Sequence, residues 1–392
     1  MSPADTALAD ELERLLAEPV DAARHRRLAA FEEVSAGREL VLYGAGGHGR
    51  TVLAALRARG VEPRCFADAA PSADRIDDLP VLEAASAARL HGDDAAWVNC
   101  VFNATDSDAS VRASLTGLGC RTVLSWILLA WAYPEGLLPA YAVDLPEGVL
   151  EQANSVRAAF ALLADDDSRE EYLAQVRWRL WADSDHLPTP LPVEESYFTP
   201  SVVAPLATER FVDCGAFDGD TLEAFLTWCG GAFSGYVALE PDPANLELLQ
   251  TMLAALPRET TERVVVLPVA AAREQGVARW RAGAVGAALA ADGTLEVPTA
   301  PLDDLLAEHE TTYIKLDIEG GEPDALTGAA GIIRRDQPVL GVCAYHAQDH
   351  LWSIPLQVHE LAPDHRLHLR RYEQDGYQVV LYAVPPGRVR QS

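Results

Sequence analysis

The sequence predicts an α/β protein with two Rossmann-like units, joined by a helical, proline-containing connector. A pattern of apolar strand, glycine turn and amphipathic helix occurs twice, at 39–60 and at 211–226. The length of 392 residues exceeds the usual size of one hydrophobic core. An apolar content of 49% is sufficient for two cores. We therefore expect two units in which strands and helices alternate around a parallel sheet.

The chain divides into four predicted segments. They are N-terminal helices (1–37), a Rossmann-like nucleotide-binding or scaffold domain (38–133), a helical connector (134–207) and a second Rossmann-like domain (208–386). In the first segment Leu12, Leu15 and Leu16 share one helix face. This face is expected to pack on the body of the protein or on a second copy, which would form a homodimer.

Composition excludes several classes of partner. With 31 basic and 59 acidic residues the net charge is −28, so a basic face for nucleic acid or anionic membranes is not expected. Six cysteines without C-x-x-C pairs suit reduced thiols in a cytosol. The longest apolar run, 126–133, is far too short to span a bilayer. We expect a soluble cytoplasmic protein that acts on a small molecule.

The first glycine turn has the spacing of a dinucleotide fingerprint. Gly44, Gly46 and Gly49 form G-x-G-x-x-G between a strand and a helix. Asp68 follows Gly46 by 22 residues, where a carboxylate could bind a ribose. The turn predicts either a second nucleotide site or a scaffold that keeps its glycines for chain packing.

The second glycine turn differs in a way that points to another ligand. Gly215 and Gly219 stand in D-x-G-A-x-x-G-D, which lacks the tight G-x-G. The turn carries the acids Asp213, Asp218 and Asp220. Acids repel a pyrophosphate and suit a cation such as the sulfonium of S-adenosylmethionine. Glu240 follows Gly215 by 25 residues, at the tip of the next strand, where it could accept hydrogen bonds from both ribose hydroxyls.

A later strand carries charge on one face. In TYIKLDIEGGE, Lys315, Asp317 and Glu319 alternate with apolar residues. A central parallel strand is normally apolar on both faces, so these charges predict a cluster that positions the acceptor or the sulfonium end of the cofactor. The alternative is a Lys–Asp–Glu network with no ligand. Lys315 is the only lysine in the chain, which suggests that arginine would not serve there.

The candidate proton acceptor is His346, at the end of the strand that follows. Methyl transfer to an aliphatic hydroxyl benefits from a base that takes the proton, and a histidine near neutral pKa suits that task. His350 and His359 are expected to be supporting or surface groups. A divalent metal held by Asp317, Glu319 and another oxygen ligand is an alternative that the spacing alone does not favour.

Five motifs in order resemble the FkbM-type S-adenosylmethionine-dependent methyltransferases. They are FVDCGAFDGDT, LEPDPANLELL, PLDDLL, IKLDIEGGEPDALTG and the C-terminal tail that begins CAYHAQDH, and the resemblance covers about 150–386. It implies a class I methyltransferase fold, S-adenosylmethionine as cofactor and O-methylation of a hydroxyl on a small molecule. The implied cofactor site comprises Asp213, Gly215, Phe217, Asp218, Gly219, Glu240, Pro241, Asp242 and Ala270.

The first unit is similar to the nucleotide-sugar-binding unit that precedes some sugar acyltransferases, on the signature GAGGHGR. That similarity implies a sugar-nucleotide site or a dimer interface.

The expected function is therefore O-methylation of a sugar, nucleotide sugar or natural product. An NAD(P)-dependent oxidoreductase that uses the first glycine turn is one alternative, although the chain lacks a Tyr-x-x-x-Lys pair. A non-catalytic nucleotide-binding protein is the other.

Overall fold

The structure, a computed structural model, describes residues 3–281, 288–289 and 293–388. Its helices are α1 (Pro3–Leu16), α2 (Val20–Ser35), α3 (Gly47–Ala58), α4 (Ala84–His91), α5 (Asp108–Gly117), α6 (Trp126–Ala132), α7 (Glu147–Glu151), α8 (Ala153–Leu162), α9 (Asp166–Trp181), α10 (Asp220–Trp228), α11 (Pro243–Ala254), α12 (Arg258–Thr261), α13 (Leu302–Leu305), α14 (Glu322–Gly328), α15 (Ala330–Asp336) and α16 (His350–Leu361). Its strands are β1 (Leu40–Tyr43), β2 (Cys65–Asp68), β3 (Arg75–Ile76), β4 (Leu79–Glu83), β5 (Ala96–Asn99), β6 (Thr122–Ser125), β7 (Arg210–Cys214), β8 (Gly235–Leu239), β9 (Val264–Leu267), β10 (Ala270–Ala271), β11 (Gly276–Arg281), β12 (Ala288–Leu289), β13 (Leu295–Ala300), β14 (Tyr313–Leu316), β15 (Val339–Cys343), β16 (Arg366–Arg371) and β17 (Val379–Val384).

The first sheet has six strands in the order β3-β4-β2-β1-β5-β6. All its neighbouring pairs are parallel except β3 and β4. The helices α3, α4 and α5 lie between its successive strands along the chain, as the alternating pattern predicts.

The second sheet has seven strands in the order β16-β17-β15-β14-β7-β8-β9. Its five strands from β15 to β9 pair in parallel, and β17 pairs antiparallel with both β15 and β16. The central strands β14 and β15 are buried along their whole length, since helices cover a parallel sheet on both faces. The two parallel sheets confirm the predicted α/β class.

A third, small sheet was not predicted from the sequence. It has the order β10-β13-β11-β12 and begins directly after β9. Its buried Trp280 packs with Val297 and Ala270. This sheet therefore forms a wall beside the carboxyl end of β8 and β9.

The two large sheets share one continuous hydrophobic core. The same buried cluster includes Leu42 of the first sheet and Val342 of the second. Polar contacts also cross between them, for example from the Gln374 backbone N–H to the Ala104 carbonyl at 2.9 Å. Loops of the first sheet are thereby held against the carboxyl edge of the second.

The N-terminal helices pack on the body of the protein, one of the two predicted alternatives for their apolar face. Helix α1 contacts α9, α2 contacts α6, and Leu12 and Leu16 are buried. Across the described residues, the helices are all too short or too polar to cross a membrane.

Candidate functional site

A cavity of about 880 Å³ opens at the carboxyl edge of the second sheet. This is the edge where open parallel sheets bind ligands, because the strand ends and following loops converge there. Many of the predicted site residues border it, namely Gly215, Phe217, Glu240, Pro241, Ala270, Lys315, Asp317 and Glu319. Other predicted residues in the described part of the chain do not border it: Asp213, Asp218, Gly219, Asp242 and His346.

The glycine turn after β7 presents bare backbone to the cavity. Gly215 has φ +84°, and a Cβ there would lie 2.0 Å from the carbonyl oxygen of Asp317. Only glycine fits such a close crossing of two strand ends in a left-handed conformation. The neighbouring Gly219 does not border the cavity, and it lets the turn pack against Met252 of α11.

Glu240 occupies the tip of β8 and is 4% exposed. One carboxylate oxygen accepts the Phe217 backbone N–H at 3.0 Å, and the other accepts the Asp242 backbone N–H at 2.8 Å. Burial raises the pKa of Glu240, and these hydrogen bonds oppose the rise. A carboxylate has about four acceptor positions, so Glu240 can fix the glycine turn and still accept ligand hydroxyls.

Asp242 supports this corner from behind. Its carboxylate caps α11 through the Ala244 backbone N–H at 2.9 Å and accepts the Trp280 indole N–H at 3.1 Å. The residue is 2% exposed and does not border the cavity, and its implied place in the cofactor site stays a prediction. Trp280 and Asn245 border the cavity instead, with Ala270 and Pro241.

Lys315 and Asp213 form an ion pair under the glycine turn. The Lys315 Nζ lies 3.0 Å from Asp213 Oδ1 and donates to the Gly215 carbonyl at 2.7 Å. Burial alone would lower the pKa of Lys315, but Asp213 and the nearby acids raise it, so the ammonium stays charged. Asp213 also accepts the Tyr236 hydroxyl and is fully buried. Asp213 therefore positions Lys315 from beneath the glycine turn, and its predicted contact with the cofactor stays a prediction.

The charged end of β14 meets the end of β15 at one corner of the cavity. Asp317 Oδ1 lies 3.4 Å from His346 Nε2, and Glu319 Oε2 lies 3.7 Å from the same nitrogen. The other ring nitrogen, Nδ1, lies 2.8 Å from Glu322 Oε1. Tyr197 donates its hydroxyl to Asp317 Oδ2 at 2.7 Å. We call Asp317, Glu319, Glu322 and His346 the acidic corner.

This geometry does not suit His346 as the proton acceptor that the sequence suggested. Its side chain is 1% exposed and does not border the cavity. Burial would lower the pKa of His346, but Glu322, Asp317 and Glu319 raise it to about 9. The carboxylates thus favour a positive charge at the ring, which makes His346 a poor acceptor for the hydroxyl proton. The sequence analysis singled out His346, Asp317 and Glu319, but it missed Glu322 and the contact of all three carboxylates with the ring.

Four aromatic rings form another part of the cavity wall, beside the acidic corner. Phe102 lies 5.0 Å from Tyr377 between ring centroids, Tyr141 lies 5.5 Å from Tyr377, and Tyr345 lies 6.3 Å from Tyr141. Phe102 comes from the loop after β5, so the first sheet supplies part of this wall. Sequence reasoning missed these rings because they are distant along the chain.

The first glycine turn lies outside this cavity. A Cβ on Gly49 would lie 2.0 Å from the Gly44 carbonyl oxygen, so close packing explains that glycine. The Asp68 carboxylate accepts the backbone N–H groups of Ala45 at 2.8 Å and Ala70 at 2.9 Å. These contacts give the motif a structural role, and nucleotide binding by Gly44, Gly46, Gly49 and Asp68 stays a prediction.

Comparisons with known proteins identify similar proteins for the part of the chain that holds this cavity. A family model described as the methyltransferase FkbM domain matches residues 213–379. The crystal structure of methyltransferase FkbM from Methylobacillus flagellatus KT is 23% identical, covers 97% of this chain and 100% of its own, and has a TM-score of 0.81. The Methanococcus jannaschii fibrillarin pre-rRNA processing protein is 11% identical, covers 49% of this chain and 75% of its own, and has a TM-score of 0.31. A search of curated proteins gives no match.

The family match spans the glycine turn, Glu240 and the acidic corner, and the Methylobacillus likeness extends the common fold over both sheets. Residues 213–379 of this chain are therefore an FkbM-type methyltransferase domain.

Proposed function

We propose that the protein transfers a methyl group from S-adenosylmethionine to a hydroxyl of a small molecule, such as a sugar, a nucleotide sugar or a natural product. One observation carries the proposal. A single cavity is bordered by the Gly215 turn, by the Glu240 carboxylate and by the acidic residues that follow β14. Its volume of about 880 Å³ is within the range of small-molecule sites and leaves space for an acceptor beside the cofactor.

The residues present fit S-adenosylmethionine. Glu240 is held by backbone N–H groups and keeps acceptor positions for ribose hydroxyls. The bare Gly215 backbone permits close approach, and Lys315 holds its carbonyl in place. The carboxylates of Asp317 and Glu319 favour a cationic group at this end of the cavity. When bound, S-adenosylmethionine supplies a methyl group already activated by its sulfonium.

The protein must then align the acceptor and remove one proton. Alignment of reacting groups contributes several kcal/mol of the barrier in enzymes, roughly 7–11 kcal/mol at most. Glu373 borders the cavity, and burial raises the pKa of its carboxyl group. A carboxylate with a raised pKa is a better proton acceptor, and burial also raises the pKa of Glu319, so Glu373 and Glu319 are the groups toward which the hydroxyl proton leaves.

The aromatic wall favours an acceptor with a ring. Tyr141, Tyr345, Tyr377 and Phe102 present flat surfaces that suit the apolar face of a sugar or a polyketide-like ring. The carboxylates disfavour negative charge close to the reacting hydroxyl. If the acceptor carries a phosphate, that group is expected to lie toward the mouth of the cavity.

The test is a methylation assay on a panel of hydroxylated compounds, with product mass and position read by mass spectrometry and NMR. The proposal expects one methyl group on an oxygen and equimolar S-adenosylhomocysteine. Methylation of nitrogen or carbon would contradict the O-methyl assignment. Glu240→Gln serves as a variant with impaired cofactor binding, since a contaminating methyltransferase would be unaffected by it.

A further inference from the structure

The acidic corner contains a polar atom whose surroundings the proposed methyl transfer does not explain. His346 Nε2 is buried and has no hydrogen-bond partner among the described residues. It points between Asp317 Oδ1, at 3.4 Å, and Glu319 Oε2, at 3.7 Å. A buried polar atom without a partner is costly, so this arrangement needs either a proton or another cation.

We propose that the acidic corner is a divalent metal site in which His346 Nε2, Asp317 and Glu319 are the ligands. Ligand atoms that lie about 2.0–2.2 Å from one metal are roughly 3 to 3.6 Å from each other. The separation of 3.4 Å between His346 and Asp317 falls in this range, and that of 3.7 Å needs a small movement of Glu319.

Glu322 is a positioning residue of this site. Its Oε1 accepts the Ile318 backbone N–H at 2.9 Å and lies 2.8 Å from His346 Nδ1. A hydrogen bond from Nδ1–H to this carboxylate orients the ring and leaves the Nε2 lone pair for a metal. Metal-binding histidines are commonly held in this way by a carboxylate. Asp317, Glu322 and His346 each offer an atom within 4.8 Å of the others, so the positioning residue lies in one compact group with two of the proposed ligands.

The backbone aims one of the ligands at the cavity. Glu319 has φ +56°, a left-handed backbone conformation that costs conformational energy for a residue with a side chain. Gly320 follows with φ +104°. This turn directs the Glu319 carboxylate toward His346 and the cavity. Asp317 and Glu319 border the cavity whereas His346 does not, so open coordination positions would face the bound acceptor.

One imidazole and two carboxylates suit a first-row transition cation such as Mn²⁺ or Zn²⁺ better than Ca²⁺, which takes oxygen ligands. A metal there would bind the acceptor oxygen and lower the pKa of its hydroxyl. The hydroxyl proton would pass to Glu373, and the oxygen electron pair would form the new bond to the methyl carbon. The bond from that carbon to sulfur would break with its electron pair left on sulfur, so S-adenosylhomocysteine would leave. That catalytic role rests on the proposed function, whereas metal binding does not.

The experiment is a titration of the chelator-treated full-length protein with MnCl₂, followed by calorimetry and pulsed electron paramagnetic resonance. We expect one saturable site and a nitrogen coupling from one imidazole. Asp317→Asn and His346→Gln should each weaken Mn²⁺ binding at least tenfold, and Glu322→Gln about 10- to 100-fold. His346→Gln should also remove the nitrogen coupling. Asp304→Asn and His309→Gln are matched controls on exposed residues and should bind as the wild type does.

Titration of the wild-type protein is sufficient to refute the proposal. The test therefore does not depend on whether the variants fold. No saturable binding at millimolar Mn²⁺, or binding without a nitrogen coupling, would show that the corner holds only a protonated histidine. Binding unchanged in folded Asp317→Asn and His346→Gln would place the metal elsewhere. A parallel titration with S-adenosylhomocysteine separates the two proposals: its binding without Mn²⁺ binding refutes the metal site and leaves the methyltransferase function intact.

Discussion

Replacement of Glu240 by glutamine tests the cofactor site with a minimal change in shape. The carboxylate is 4% exposed, and each of its oxygens accepts one backbone N–H, from Phe217 and from Asp242. An amide has only one acceptor oxygen, so its NH₂ group must face one of these two donors. Glu240→Gln therefore disturbs the glycine turn and also removes the charge that strengthens hydrogen bonds from ribose hydroxyls.

The size of the effect follows from the hydrogen bonds lost. A hydrogen bond to a charged group contributes about 1.5–3 kcal/mol, so loss of one such bond weakens binding roughly 10- to 150-fold. Calorimetric titration with S-adenosylhomocysteine measures this directly. Glu247→Gln, seven residues farther along and exposed on α11, is the matched control and should leave the dissociation constant within about twofold.

An analogue without the ribose 2′-hydroxyl separates ligand contact from loop distortion. If Glu240 binds ribose, the analogue should lose affinity for the wild type and show a smaller difference between wild type and Glu240→Gln. The ribose assignment is refuted if Glu240→Gln binds S-adenosylhomocysteine as the wild type does. It is also refuted if the analogue and the parent ligand lose the same factor in the variant.

Further predictions concern the support of the site and the stability of the fold. Gly215→Ala should abolish S-adenosylhomocysteine binding, because the new Cβ would lie 2.0 Å from a backbone oxygen. Gly235→Ala places its Cβ in open space and should bind the ligand normally. Equal binding by the two variants would contradict this reasoning. Lys315→Met leaves the Asp213 carboxylate buried and unpaired, at a cost of about 3–5 kcal/mol, so the double variant with Asp213→Asn should have a higher Tm than Lys315→Met alone. Burial raises the pKa of Asp375 to about 6, so the native state loses stability as pH rises from the unfolded pKa toward 6. Asp375→Asn cannot ionise, and its stability gain in thermal unfolding should grow over this pH range to at most about 3 kcal/mol; a gain independent of pH would refute the reasoning.

Local sequence patterns were sufficient to predict the residues on one side of the cavity. Gly215, Glu240 and the alternating Lys315, Asp317 and Glu319 all lie at strand ends, and parallel strands bring those ends to one edge. Their placement therefore follows from strand order alone. The α/β class follows in the same way from the repeated strand, turn and helix pattern.

The remaining cavity residues could not be predicted from local patterns, because their positions depend on contacts between distant segments. Phe102, Tyr141 and Tyr377 reach the same wall only because the two large sheets share a core, and no spacing rule connects them. The environment of His346 depends on Glu322, whose Oε1 lies 2.8 Å from His346 Nδ1 and accepts the Ile318 backbone N–H. The sequence shows which residues can ionise, whereas burial and neighbouring charges decide their protonation.

The most direct test of the central claim is a parallel calorimetric titration of the wild-type protein with S-adenosylmethionine, S-adenosylhomocysteine, NAD and NADP. The account predicts that the two adenosyl ligands saturate one site and compete with each other, while NAD and NADP do not bind there. Binding of a nicotinamide ligand without either adenosyl ligand would contradict the methyltransferase site and favour the glycine turn of the first sheet.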